Sequence, residues 1–350
     1  MDRRPQNKDT DRLVHSWKAR KKGENRKRKL ERSHRHGAFG RAKNAPTPTS
    51  NGTEKPHDLF FPERLNFVSD YQGAITFFAE LRRLLFDRTV RLINLDHTNQ
   101  KEISPESALL VIAELYRSHE RDKTKLKRCV CPTDPSVCWV LHEVGYFKYF
   151  PGIRYPLAAQ QRGYLRHDHD CRVRGTSAKV LIQHFEKRVT FAPQGRQTLY
   201  NALVESMNNV AEHAYPERRR KKSAYAEWWL LGYFDDDARE ISFSFYDQGL
   251  GIPRTIRARL RHELRSGASL IREAVERGIS RTRLSTRGKG LPSLKKFVDS
   301  AVDGTLVISS HTSQCVFHKG ELPSEHTWNI PLPGTLITWN IRLPENKERI

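Results

Sequence analysis

The sequence predicts a mixed α/β (α+β) protein in three parts: a basic tail and linker over residues 1–55, a small α/β domain over 56–172, and a two-layer α/β sandwich over 173–350. Three observations predict this. The composition changes from charged and polar to apolar-patterned after APTPTSNGT. A strand, a loop and a helix follow one another between Thr89 and Arg117. Beyond residue 175, two helical runs lead into a β-hairpin, a glycine turn before a helix, and a closing strand.

The 350 residues suffice for two ordinary domains. A net charge of +22, from 62 Lys and Arg against 40 Asp and Glu, predicts attraction to polyanions such as nucleotide phosphates, nucleic acid or an acidic protein partner. Cys129, Cys131, Cys138, Cys171 and Cys315 are odd in number and form no CxxC pair, which argues against a disulfide framework or a zinc finger. With no apolar run near 18 residues and no signal-peptide core, the reading is a cytoplasmic protein that does not enter the membrane.

The first 50 residues hold 16 Lys or Arg against 5 Asp or Glu. Such clustered cations gain counterion-release entropy on nucleic acid or another acidic surface, and they equally serve as a solubilising tail. From Asp58 onward Phe60, Phe61, Phe67, Phe77, Phe78, Leu81, Leu84 and Leu85 supply a core, with Tyr71 to Phe86 in amphipathic helical register. Thr89 to Asp96 reads as a strand. The helix after it starts with Ser104 as N-cap, Pro105 in the first turn and Glu106 near the positive end of the helix dipole.

This strand-turn-helix resembles a STAS-type domain, the small α/β module of anti-sigma-factor antagonists. In that family a serine at the start of the helix can be phosphorylated by a partner kinase. Here the stretch reads Ser104, Pro105, Glu106, Ser107 in place of the family's aspartate-serine-serine-glycine. Further on, His167, Asp168, His169, Asp170 and Cys171 are conceivable metal ligands, but strand alternation separates the two His from the two Asp, so a polar strand or loop is expected.

The run from Leu199 to Tyr215 contains ESMNNVAEH. At 100° per residue, Leu199, Leu203, Met207, Val210 and Ala214 form an apolar stripe about 80° wide, and Glu205, Asn209 and His213 form a second stripe beside it. A carboxylate, a carboxamide and an imidazole in that order can act as general base, magnesium ligand and orienting group. The same residue types are also ordinary on a solvated helix flank.

Next, Ala226 to Phe234 and ISFSFYD form a hairpin. Period-2 alternation puts Ile241, Phe243, Phe245 and Asp247 on one face, so the buried side of the strand ends in a carboxylate. Facing an adenine amino group, such an acceptor would be matched and would select ATP over GTP. Gly249 and Gly251 let the backbone pass close to a ligand, though Asp and Gly also favour plain turns. Residues 254–287 carry ten Arg against three Glu and resemble a mobile basic lid. Gly288 and Gly290, beside Arg287 and Lys289, precede a helix, an arrangement suited to phosphate. GTLITWNIRL closes the domain, with Thr335 near its start.

ESMNNVAEH, DQGLG, the basic interval, RGKGL and the closing GT strand, in that order, resemble the GHKL (Bergerat-fold, histidine kinase-like) ATPase superfamily over about residues 175–345, most closely its anti-sigma-factor serine-kinase branch. The resemblance implies a Bergerat-type sandwich with ATP and magnesium as its ligands. It makes Glu205 the general base and Asn209 the magnesium ligand. Asp247 would meet adenine, with Gly249, Gly251 and Thr335 around it. Gly288 and Gly290 would lie under the phosphates, with His213, Arg287 and Lys289 as further contacts. The implied activity is that of a serine/threonine protein kinase or ATPase acting on a regulatory protein partner by partner switching. Two alternatives stay open: a nucleotide-gated binding module without useful catalysis, and a nucleic-acid-associated ATPase.

Overall fold

Asp70 accepts a hydrogen bond from the Gly73 backbone N–H at 2.9 Å, and that cap starts α1 (Tyr71–Phe86), with the limits its amphipathic pattern predicts. The computed structural model describes residues 56–156, 163–215, 227–258, 264–278, 290–301 and 303–343. The tail expected at 1–55 lies outside these residues. The described part is a mixture of helices and sheets. No described helix is long and apolar enough to cross a membrane.

In the N-terminal half, β1 (His57–Phe60), β3 (Leu92–Asp96) and β5 (Leu126–Val130) form a parallel sheet in that order, while β2 (Arg64–Leu65) pairs with β4 (Glu102–Ile103). Helices α1, α2 (Pro105–Arg121) and α3 (Pro135–Glu143) connect and follow the strands. Ser104 stands at the N-cap of α2 but makes no capping bond. Its hydroxyl donates to Glu106 instead and lies 2.9 Å from Ser107 Oγ. Ser104, Glu106 and Ser107 are all buried, so neither serine is accessible to a kinase in the folded chain.

The C-terminal half is built on an antiparallel sheet of order β6-β7-β8-β10-β9, comprising Gly163–Asp170, Trp228–Asp235, Glu240–Asp247, Ser324–Arg342 and Asp303–His318. Strand β6 contains the His-Asp alternation and sits at the edge of this sheet, paired with β7, rather than within the N-terminal layer. Its His169 ring lies against Tyr116 and Trp229, as one face of an alternating strand requires. Helices α4 (Gly175–Phe185) and α5 (Pro193–Asn209) precede β7. After β8 come α6 (Ile252–Arg257), α7 (Gly267–Glu276) and α8 (Gly290–Ser300).

Alternation along the strands decides what each face meets. Trp228, Leu230, Phe243, Phe245, Ile337 and Trp339 join one core with Leu181, Leu203 and Phe297 of α4, α5 and α8. Trp229, Leu231, Tyr246 and Leu336 join a different core with Phe78, Leu110 and Val111 of α1 and α2. The sheet is therefore buried on both faces, and the sandwich expected as two layers carries the N-terminal half as a third. Helix α2 lies between α1 and strands β7 and β8. That position explains why Ala108 to Ala113 are buried all round instead of along a single stripe.

Candidate functional site

The helix carrying Glu205 and Asn209 does not run straight to Tyr215. Helix α5 ends at Asn209, and Val210–Ala214 form a π-helical turn. Bonding there is i→i+5, so the 100° per residue that set the Glu205, Asn209, His213 stripe applies only as far as Asn209. The His213 imidazole lies 3.7 Å from the Glu212 carboxylate. Val210 and Ala214 stay in the core, as the apolar stripe predicts.

This turn brings the first two motifs together. The Ala214 carbonyl accepts a 2.7 Å hydrogen bond from the Leu250 N–H, and the Gln248 N–H donates to the Tyr215 hydroxyl at 3.2 Å. The Tyr215 hydroxyl in turn donates to the Glu227 carbonyl. Gly249 is required by this junction. A Cβ there would come 2.4 Å from the Ala214 carbonyl oxygen, so the missing side chain makes room for the helix end rather than only for a ligand. Gly251 has φ +81°, and a Cβ on it would meet Ser310 Oγ at 2.6 Å.

Asp247 ends β8, paired with Trp228 on one side and Thr335 on the other. Its Oδ1 accepts from the Gly249 N–H at 2.7 Å. The side chain is buried, which pushes its pKa up to about 7, against the lowering effect of the Gly249 N–H and the Thr335 hydroxyl. A turn aspartate needs no such burial. Opposite it, the pairing of β9 and β10 is irregular between Thr327 and Thr335. Gly334, at φ +81°, lets β10 pass the Asp247 carbonyl, where a Cβ would clash at 1.8 Å.

Ser310 ties this end of the sheet together. Its Oγ donates to the Gly334 carbonyl at 3.0 Å, accepts from the Ile252 N–H at 2.9 Å, and lies 3.1 Å from Thr335 Oγ1. Sequence reasoning missed Ser310 and the contact role of Tyr215, and read Gly334 only as the entry to the closing strand. The available signals were two serines inside the β-forming run LVISSH and the glycine before Thr335.

Glu205 is half-buried, and that burial raises its pKa, assisted by Glu212 and opposed by a hydrogen bond from Asn208. Asn209 is half-buried too, and its Nδ2 has no hydrogen-bond partner in the structure. A flip of the amide would exchange its O and N positions. Gly290 opens α8, which packs along α5. Arg287, Gly288 and Lys289 lie outside the described residues. Part of the expected lid also does. The described α7 is no lid: Ile271 and Val275 are in the main core, and the helix packs on β9.

Among the described residues no group of three His, Cys, Asp or Glu side chains is arranged to hold a metal ion, the His167–Cys171 run included. No family model matches this chain, and no curated protein matches it in sequence.

Proposed function

We propose that this chain is an ATP- and magnesium-binding regulatory protein with a Bergerat-type nucleotide site, which hydrolyses ATP or transfers its γ-phosphoryl group to a serine or threonine of a protein partner. The observation that carries the reading is the meeting of Ala214 and Tyr215, at the end of the stretch that holds Glu205 and Asn209, with residues 247–251 and 334–335 at one end of the five-stranded sheet, around a buried carboxylate. These stretches are far apart in sequence, and the GHKL resemblance picks them out for one site.

In this reading Asp247, ionised, accepts the adenine amino group, and Thr335 and the Gly249 N–H hold the carboxylate in place. Burial of that carboxylate supports an acceptor role, because a ligand donor supplies the hydrogen bond that its ionised form lacks in a dry setting. Asn209 would hold magnesium through its amide oxygen. The amide position now filled by the unpartnered Nδ2 fits that role once a flip puts the oxygen there, and magnesium commonly takes one or two protein oxygens, with phosphate and water completing its shell. When bound, magnesium neutralises developing phosphate charge. Glu205, one turn before Asn209, takes the proton from the attacking water or hydroxyl. Its raised pKa makes it a better base than an exposed glutamate.

Incubation of the full chain with γ-labelled ATP, magnesium and candidate protein partners tests this. Phosphoprotein or free phosphate should form and should vanish in Glu205→Ala. ATP binding without turnover under every partner condition would favour a nucleotide-gated binding module instead.

A further inference from the structure

The C-terminal ends of α1 and α2 enclose an open pocket of about 250 Å³ lined by Arg82, Arg83, Phe86, Arg117 and Arg121. We infer that this pocket binds a phosphoryl dianion, a phosphate monoester or free phosphate, between Arg117 and Arg121. The guanidinium carbons of Arg82, Arg117 and Arg121 lie 5.6, 5.8 and 5.5 Å from the centre of the one Phe86 ring. Three like charges gathered over a single ring repel one another. Cations do favour helix C-termini, but that preference is met by side chains spread into solvent and does not call for convergence.

The charge balance selects the ligand class. Arg82 is paired with Glu114 at 2.5 Å, and Arg83 makes a two-pronged contact with Glu80 at 2.7 and 2.6 Å. Arg117 donates to Gln248 Oε1 at 3.1 Å, a neutral partner that leaves its charge uncompensated. Arg121 has no carboxylate partner among the described residues. Glu120, next to Arg121 in the helix, makes no ion pair with it; its charge helps to raise the pKa of Tyr116 and Glu227. Two uncompensated guanidiniums match a group that carries nearly two negative charges at pH 7. Their planar forks also fit phosphoryl oxygens in pairs. A single carboxylate would leave one of them unmatched, and a nucleic-acid backbone is met by an extended stripe rather than by a pocket between two helix ends.

Calorimetry on the full chain at 150 mM salt tests this with inorganic phosphate, a phosphoserine peptide and the same peptide unphosphorylated, against wild type, R117A/R121A, R117K/R121K and Asn209→Ala. Phosphate or phosphopeptide should bind wild type and Asn209→Ala alike, at least tenfold more weakly in both Arg117/Arg121 variants. The unphosphorylated peptide should not bind. Affinity should rise between pH 5.5 and 7.5, as the monoester loses its second proton near pH 6. A phosphopeptide preferred over phosphate assigns the source to a phosphorylated protein, and equal affinities assign it to free phosphate. The lysine variant keeps the charge, so it decides the matter even if the alanine variant fails to fold. Binding unchanged in R117K/R121K would reduce the effect to diffuse charge and overturn the proposal, as would loss of phosphate binding in Asn209→Ala.

Discussion

The Leu250 N–H and the Ala214 carbonyl meet at 2.7 Å, so the end of the Glu205 helix and the loop after Asp247 are one hydrogen-bonded junction. Gly249 sits against that carbonyl with no room for a Cβ. Gly249→Ala therefore forces the loop and the π-turn apart, and a destabilisation of about 1 to 3 kcal/mol is expected in denaturant unfolding. Unchanged stability would mean that the two stretches do not touch.

Asp247 gives stability a pH dependence of known sign. Its folded pKa, about 7, lies above the ordinary aspartate value near 4. The stability that protonated Asp247 contributes is thus full below about pH 4 and is lost as pH rises through about 7. Asp247→Asn removes this dependence. Measured by chemical denaturation, the variant should gain on wild type between pH 5 and 8, by up to about 4 kcal/mol.

Both faces of the central sheet are core, so the two halves should unfold as one. A single transition is expected by circular dichroism and tryptophan fluorescence. Trp229 packs in the core shared with α1 and α2, and Trp229→Ala should cost about 3 to 5 kcal/mol while lowering hydrogen-exchange protection in α2 as well as in β7. Loss confined to β7 would show that the halves are independent.

Asn209 and Glu205 should separate binding from turnover. Asn209→Ala is expected to weaken magnesium-dependent ATP binding at least tenfold. Glu205→Ala should leave the affinity within about threefold while removing turnover, since a general base is needed only in the chemical step. Calorimetry and phosphate release on the same two variants check the division.

Much of this was legible from residue patterns. Helix α1 follows the spacing of Phe77, Phe78, Leu81, Leu84 and Leu85, and the burial of Asp247 follows from its phase with Phe243 and Phe245. Other features had no local signal. The π-turn over Val210–Ala214, whose last carbonyl accepts from Leu250, is not encoded in the apolar spacing along the helix. Strand β9 was missed because Ser309, Ser310 and Ser313 interrupt its apolar run, yet all three are buried within the protein. Strand β6 reads as polar because its His169 finds aromatic neighbours, Tyr116 and Trp229, only in the assembled fold. The covering of the sheet by the N-terminal half is likewise a long-range outcome, hinted at only by the unbroken apolar run Leu109 to Ala113.

The central claim is that the Asp247 junction is an adenine nucleotide site, and one titration tests it most directly. Calorimetry at pH 8, where Asp247 is mostly ionised, would compare ATP with GTP, with and without magnesium, on wild type and Asp247→Asn. ATP should bind, more tightly with magnesium, GTP should bind at least tenfold more weakly, and Asp247→Asn should lose ATP. If neither nucleotide binds at high protein concentration, or Asp247→Asn binds ATP as wild type does, the account is wrong.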